Sequence, residues 1–210
     1  MHQFLLLCLF VLGADPEPYD VIIRGGRIVD GSGNPWFHGD VAVQGDRIVA
    51  VGRIPKASAK RQIEAKGLIV APGFIDMHSH SDFVLFEDGD AQSKIRQGVT
   101  TDVLGEGGSA GPFVNQLSPR NVTIKDETIE LRTMKDYFDA IDRARVSINV
   151  ASYVGLGQVW ECVMGRSHQR PSAEQFGEMK KLIGQAMQEG AFGLSSMLMM
   201  PPGSLATTDD

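Results

Sequence analysis

From Pro72 onward the chain alternates short apolar runs with helical runs, and that alternation leaves few architectures open. Residues 74–78 read as a short buried strand. Residues 91–97 form a short helix closed by Gly98, and residues 99–104 form the next strand. Met134, Phe138 and Ile141, spaced by four and three, mark a helix over 133–145. Residues 147–154 then read as a third strand ending at Gly155. After Pro171 comes the clearest helix: Ser172 and Gln175 have capping-box spacing, and Phe176, Met179, Leu182, Ile183, Ala186 and Met187 line one face up to Gly190. Residues 191–198 read as a fourth strand, broken at 201–203. Strands separated by helices imply a parallel α/β sheet, since parallel neighbours need a crossover. A complete (β/α)8 barrel takes eight such steps and typically about 250 residues. The expectation is therefore an open α/β sheet or the first half of a barrel. Residues 105–130 make a long connection containing Gly, Pro and Ser, a length that usually means function or further structure.

Ahead of Pro72 the texture differs. Strand-like runs at 19–24, 27–30, 40–44, 47–51, 62–65 and 68–70 are separated by Gly25-Gly26, by the Gly/Pro turn at 31–35 and by Gly45-Asp46. The Gly-Asp pair between two β-branched runs is a hairpin signal. Three segments are expected: a leader over 1–14, a small all-β unit over 15–70 and an α/β unit over 71–210. The leader rests on the unbroken apolar run at 4–12, too short to span a bilayer, followed by Gly13-Ala14 and a Pro-rich polar exit. It implies export to the periplasm or medium; without it the chain reads as cytoplasmic. No integral membrane span is expected.

Charge and cysteine content exclude several function classes. Lys plus Arg number 20 against 26 Asp plus Glu, a formal charge of −6 with no basic cluster, so nucleic acid is not an expected partner. The two cysteines, Cys8 and Cys162, cannot build a disulfide scaffold or a Cys-rich zinc module; Cys162 reads as a small buried hydrophobe.

The residues that carry chemistry follow Pro72-Gly73. His78 and His80 stand two apart at a strand end, so both rings project from one face, with Asp76 in the same parity one layer deeper. Two imidazoles on one face can bind one transition metal; two surface histidines are the alternative. Glu106 follows the second strand at its C-terminal end, where barrel sites collect, and is the candidate to complete that site; the alternative is a solvated loop carboxylate. The loop at 105–112 has no lysine and no Walker spacing, and Ser195-Ser196 lacks a nucleophile elbow. His168 reads as exposed loop.

Residues 20–33 followed by Pro72-Gly-Phe-Ile-Asp-Met-His-Ser-His80 resemble the amidohydrolase superfamily, and more narrowly its N-acyl-D-amino-acid deacylases. The segments at 97–101, 105–112, 149–155 and 190–196 carry the narrower likeness. The resemblance implies a metal-dependent (β/α)8 barrel with a small β-sandwich built partly from residues 20–70, and one or two Zn²⁺ ions. It implies His78 and His80 as metal ligands, with Glu106 as a substitute ligand beside Gly107, where some relatives carry a metal-binding Cys. Leu156 stands where some relatives carry His, and the fourth strand lacks the lysine that hydantoinases carboxylate. The implied activity is hydrolysis of a linear amide in a small N-acyl amino acid, with the general base and further histidines expected beyond residue 210, so that residues 1–210 alone are expected to be inactive. Cyclic-amide opening or deamination is the nearest alternative. A non-catalytic metal-binding module is the alternative of another class.

Overall fold

β-branched residues in period two account for the first element of the computed structural model, which describes residues 19–55, 58–167 and 169–210. The leader and His168 lie outside the described residues. The chain divides into two units, one ending at Pro72 and one beginning at Gly73.

In the first unit, β1 (Tyr19–Ile28) runs through Gly25-Gly26 instead of stopping there. The pairing register slips between Ile23 and Gly26, and Gly25 adopts φ +68°. The two glycines thus make a bulge in one strand, where separate strands were expected. β2 (Phe37–Gln44) and β3 (Arg47–Gly52) form the expected hairpin, closing on the Gln44–Arg47 pair with Gly45 at φ +60°. β4 (Ala59–Glu64) and β5 (Ile69–Val70) both run parallel to β1. The described residues of this unit form one five-stranded mixed sheet. A second, facing sheet, as a sandwich requires, is not among them. Ile22 and Ala42 are fully buried.

Asp40 on β2 ties this sheet to its bulge. Its carboxylate accepts from Arg24 Nη1 at 2.9 Å, from the Gly25 amide at 2.9 Å and from the Ile54 amide at 3.3 Å. Burial alone would raise its pKa; the Gly25 amide, Arg24 and the Ile54 amide outweigh burial and hold the carboxyl below the ordinary range.

In the second unit, β6 (Phe74–Asp76), α1 (Gln92–Ile95) and β7 (Val99–Leu104) open a parallel sheet. The expected long connection then hides an antiparallel hairpin, β8 (Arg120–Ile124) and β9 (Glu127–Leu131), turning on Lys125 and Asp126, both at positive φ. Its Val122, Ile124 and Leu131 enter the core with Leu85, Phe113, Tyr137 and Ile141. α2 (Met134–Ala144) starts at a Thr133–Asp136 capping box.

β10 (Asn149–Ser152) pairs with β7, and β11 (Val154–Gly155) continues it one residue later. α3 (Leu156–Met164) follows directly, a helix not expected from the sequence. Its Trp160 and the wholly buried Cys162 pack inward, and Cys162 Sγ donates to Pro112 O. α4 (Ala173–Gln188) begins at the expected Ser172–Gln175 capping box. β12 (Leu194–Ser195), much shorter than the expected strand over 191–198, pairs in parallel with β11. Parallel strands thus follow in sequence order: β6, β7, β10–β11, β12. Their C-terminal ends lie on one side, where the connections to following helices emerge. Among the described residues, no helix is long and apolar enough to cross a membrane.

Asp40→Ala removes three acceptor contacts and leaves a half-buried guanidinium short of its carboxylate. A loss of about 2 kcal/mol is expected in urea unfolding at pH 7. Because the folded pKa is depressed, Asp40 contributes stability above the ordinary carboxylate value, and that contribution fades as pH falls through the folded pKa. The gap between wild type and variant should therefore close in acid.

Candidate metal centre

β6 ends at Asp76, and a bend then carries His78, Ser79 and His80. The strand expected over 74–78 stops two residues early, so alternation along a strand is not what aligns the rings. They converge all the same. His78 Nε2 and His80 Nε2 lie 3.2 Å apart, with ring planes at 77°. With Zn–N bonds of about 2.0–2.1 Å, two corners of a tetrahedron stand about 3.3 Å apart. The separation fits two nitrogens sharing one ion.

His78 Nδ1 faces Glu106 Oε2 at 2.9 Å. A proton on Nδ1 leaves the Nε2 lone pair free, so the carboxylate selects the tautomer a metal needs. The imidazole is 63% exposed and the carboxylate 32% exposed, so this contact orients the ring more than it stabilises the fold. The expected third ligand thus occupies the other ring nitrogen of His78. Among the described residues, no group of three His, Cys, Asp or Glu side chains is disposed to hold a metal ion.

The loop carrying Glu106 explains its position. Gly105 has φ +85°, and a Cβ there would fall 2.1 Å from Tyr153 O. A Cβ on Gly155 would fall 2.4 Å from Gly107 O. Loop backbone therefore lies directly on the β10–β11 junction, with no room for a side chain between them. Ser195 Oγ donates to Gly105 O and accepts from the Gly107 amide at 3.1 Å, clamping the peptide groups on either side of Glu106. Ser109 Oγ donates to Gly111 O and accepts from the Gly155 amide at 3.0 Å. Gly107, where the resemblance would set a thiolate, has φ +76°, and its Cβ would meet Met197 Cε at 2.9 Å.

Beneath the histidines lies a polar cluster of which sequence reading singles out Asp76 alone. Asp76 accepts from the His78 amide at 3.2 Å and from Lys94 Nζ at 2.6 Å. Lys94 Nζ also donates to Ser79 Oγ at 3.0 Å. Asp102, wholly buried on β7, accepts from Ser79 Oγ at 3.0 Å and Ser81 Oγ at 2.7 Å through Oδ2. Its Oδ1 faces the Lys94 ammonium at 3.3 Å, an ion-pair contact without hydrogen-bond geometry. The Lys94 hydrogen bond, then the His78 amide, hold the Asp76 carboxyl below its ordinary range. Burial opposes the charge of Lys94, but Asp76 and Asp102 outweigh it and keep the ammonium above the ordinary lysine range. Asp82, next along, has its carboxyl raised by burial, and its Oδ1 has no hydrogen-bond partner among the described residues. Apart from the local His78 amide to Asp76 contact, no spacing in the sequence announces these contacts, because they join residues of different elements.

Comparison with known proteins assigns the class. Residues 61–199 match the amidohydrolase family, and the chain belongs to it. The chain is 36% identical over 200 residues to a D-aminoacylase of Alcaligenes xylosoxydans xylosoxydans, covering 94% of this chain and 41% of that protein. It is 35% identical to an N-acyl-D-glutamate deacylase of the same organism, covering 90% of this chain and 39% of the other. The N-acyl-D-glutamate deacylase of Bordetella bronchiseptica, solved with zinc and a phosphonate mimic of the tetrahedral intermediate, superposes with a TM-score of 0.80 at 37% identity, covering 91% of this chain and 41% of that one. The chain thus spans about two fifths of the length of these relatives.

Gly105→Ala puts a methyl group onto the Tyr153 carbonyl at a backbone angle that suits glycine. A destabilisation of about 3 kcal/mol or more is expected in denaturant unfolding. A cost below about 1 kcal/mol would show that the loop does not pack on β10–β11 as described.

Proposed function

We propose that the chain serves in metal-dependent hydrolysis of linear, non-peptide amide bonds, with a small N-acyl-D-amino acid as substrate. The carrying observation is the 3.2 Å approach of His78 Nε2 and His80 Nε2 beyond the C-terminal end of β6. Support comes from relatives named for action on D-aminoacyl substrates and from a zinc-containing neighbour in shape. The parallel strands in sequence order are the opening of a (β/α)8 barrel, and the five-stranded sheet before them contributes to a sandwich. Export through the leader belongs to the same reading and rests on the apolar run at 4–12 alone.

His78 and His80 would hold the ion through Nε2. Zinc, when bound, supplies a Lewis acid that lowers the pKa of a water and polarises the scissile carbonyl. Glu106 keeps the His78 proton on Nδ1, so that Nε2 offers a lone pair. Ser195 and the glycines of the Gly105 loop keep Glu106 in place. A carboxylate on the outer nitrogen also makes the imidazole a better donor.

The test is a panel of N-acyl-D-glutamate, N-acyl-D-aspartate and neutral N-acyl-D-amino acids, run with and without Zn²⁺ on the complete protein, including the segments expected beyond residue 210. Zinc-dependent release of the free amino acid is expected, along with the matching zinc content. His78→Ala should cut kcat/KM by more than the roughly 10–100-fold loss of an outer partner. Glu106→Ala should weaken zinc binding within that range and leave some turnover. Zinc content with no turnover on any linear amide would move the chain to a non-catalytic metal-binding role.

A further inference from the structure

Lys94 sits on α1, away from the residues a metal would touch, yet its ammonium is where the support of the histidine pair converges. It reaches Asp76 Oδ2 at 2.6 Å and Ser79 Oγ at 3.0 Å, both within the segment that carries the two rings. It also faces Asp102 Oδ1 at 3.3 Å on the neighbouring strand. Asp76 in turn accepts the His78 amide, and Ser79 donates to Asp102. One cation therefore joins the end of β6, the bend after it and β7.

We propose that Lys94 is a positioning residue for the cation site: its ammonium fixes the bend at 76–80 so that the two Nε2 atoms meet at one point. The inference rests on reading His78 and His80 as holders of the ion, and the geometry supplies two reasons for it. First, the histidine rings stand on a bend past the end of β6, tied to β7 there by the hydrogen bond from the Ser79 amide to Val103 O at 3.2 Å, so fixing both rings needs a side-chain restraint beside that one backbone contact. The contacts of Asp76 and Ser79 are that restraint, and both end on Lys94. Second, Asp102 is wholly buried, and among the described residues Lys94 is its only ion-pair partner. Without the ammonium, two carboxylates would face each other across the strand ends, and the bend would move to separate them. A mobile bend costs affinity, because the ion must then order both rings at binding.

The experiment uses Co²⁺ as the probe, in the full chain, with affinity read by competition against a chromophoric chelator and geometry read from the visible absorption of the bound ion. Lys94→Met should lose about tenfold or more in Co²⁺ affinity, the scale of an outer partner's loss, and should shift the absorption bands. Lys94→Arg, which keeps the charge, should recover most of the affinity. Asp76→Asn keeps an acceptor for the His78 amide and removes the ion pair, and should fall in the same direction as Lys94→Met. Far-UV circular dichroism and a cooperative unfolding transition establish that each variant is folded; should Lys94→Met fail this, the Asp76→Asn result decides. A folded Lys94→Met or Asp76→Asn chain with wild-type affinity and spectrum overturns the proposal. If the wild-type chain takes up no Co²⁺, the reading of the histidines as metal holders fails instead. The positioning role is then decided by the crystal structure of Asp76→Asn: rings drawn apart support it, and an unchanged Nε2 separation overturns it.

Discussion

A carboxylate with no access to water must be matched by protons or charge, and Asp102 meets that demand at the end of β7 with two hydroxyls and one ammonium. Much of the site's order follows from it. Ser79 and Ser81 are drawn to Asp102 from the bend between and beside the histidines, so the bend cannot swing outward without stranding a buried charge. Lys94 closes the arrangement from α1 and brings in Asp76. The result is a polar layer under two exposed rings, in which the cost of disorder exceeds what any of its surface contacts would contribute alone.

A different economy holds the other side of the site. Around Glu106 the chain uses glycine and hydroxyls in place of charge. Close backbone approach at Gly105 and Gly155 fixes the loop sterically, and the Ser195 hydroxyl fills the hydrogen-bonding capacity of the peptides beside Glu106. The two histidines are thus held by electrostatics from below, and their carboxylate partner is held by packing from the side. The first support comes from Asp102 on β7 and Lys94 on α1, the second from β11 and β12.

What the sequence makes legible is what periodicity and caps encode. The α4 face and its Ser172–Gln175 cap, the hairpin at Gly45-Asp46 and the parallel order of strands all rest on spacing of a few residues, whereas the spacing of His78 and His80 marks the pair without saying why a bend past β6 brings the rings together. The misses have a common cause. The β8–β9 hairpin alternates Val122, Ile124, Ile129 and Leu131 about Lys125-Asp126, but neither turn residue is glycine, and its strands lie inside a stretch read as connection. α3 begins at a glycine with no side-chain cap and follows a strand without a turn, so no boundary signal marks it. β6 and β12 are shorter than their apolar runs, because an apolar residue can be exposed on an edge as readily as it can be paired. Glu106 follows β7 as its sequence position implies, yet which histidine nitrogen it meets depends on the path of the Gly105 loop, and that path depends on contacts with Tyr153 and Ser195 far along the sequence.

The contacts that shape the cation grip also differ in how far along the chain they reach. Asp76, His78, His80, Lys94, Asp102 and Glu106 all come from one β–α–β step, β6 to the end of β7 and the residues just past it. Only small loops need to close for these groups to meet, so the entropic barrier to gathering them is low. During synthesis this step emerges before α2, α3 and α4 exist, so a nascent chain can assemble its pair of imidazoles as a local event. The Ser195 clamp arrives much later, and it acts as a latch on a half-built socket instead of as part of its foundation.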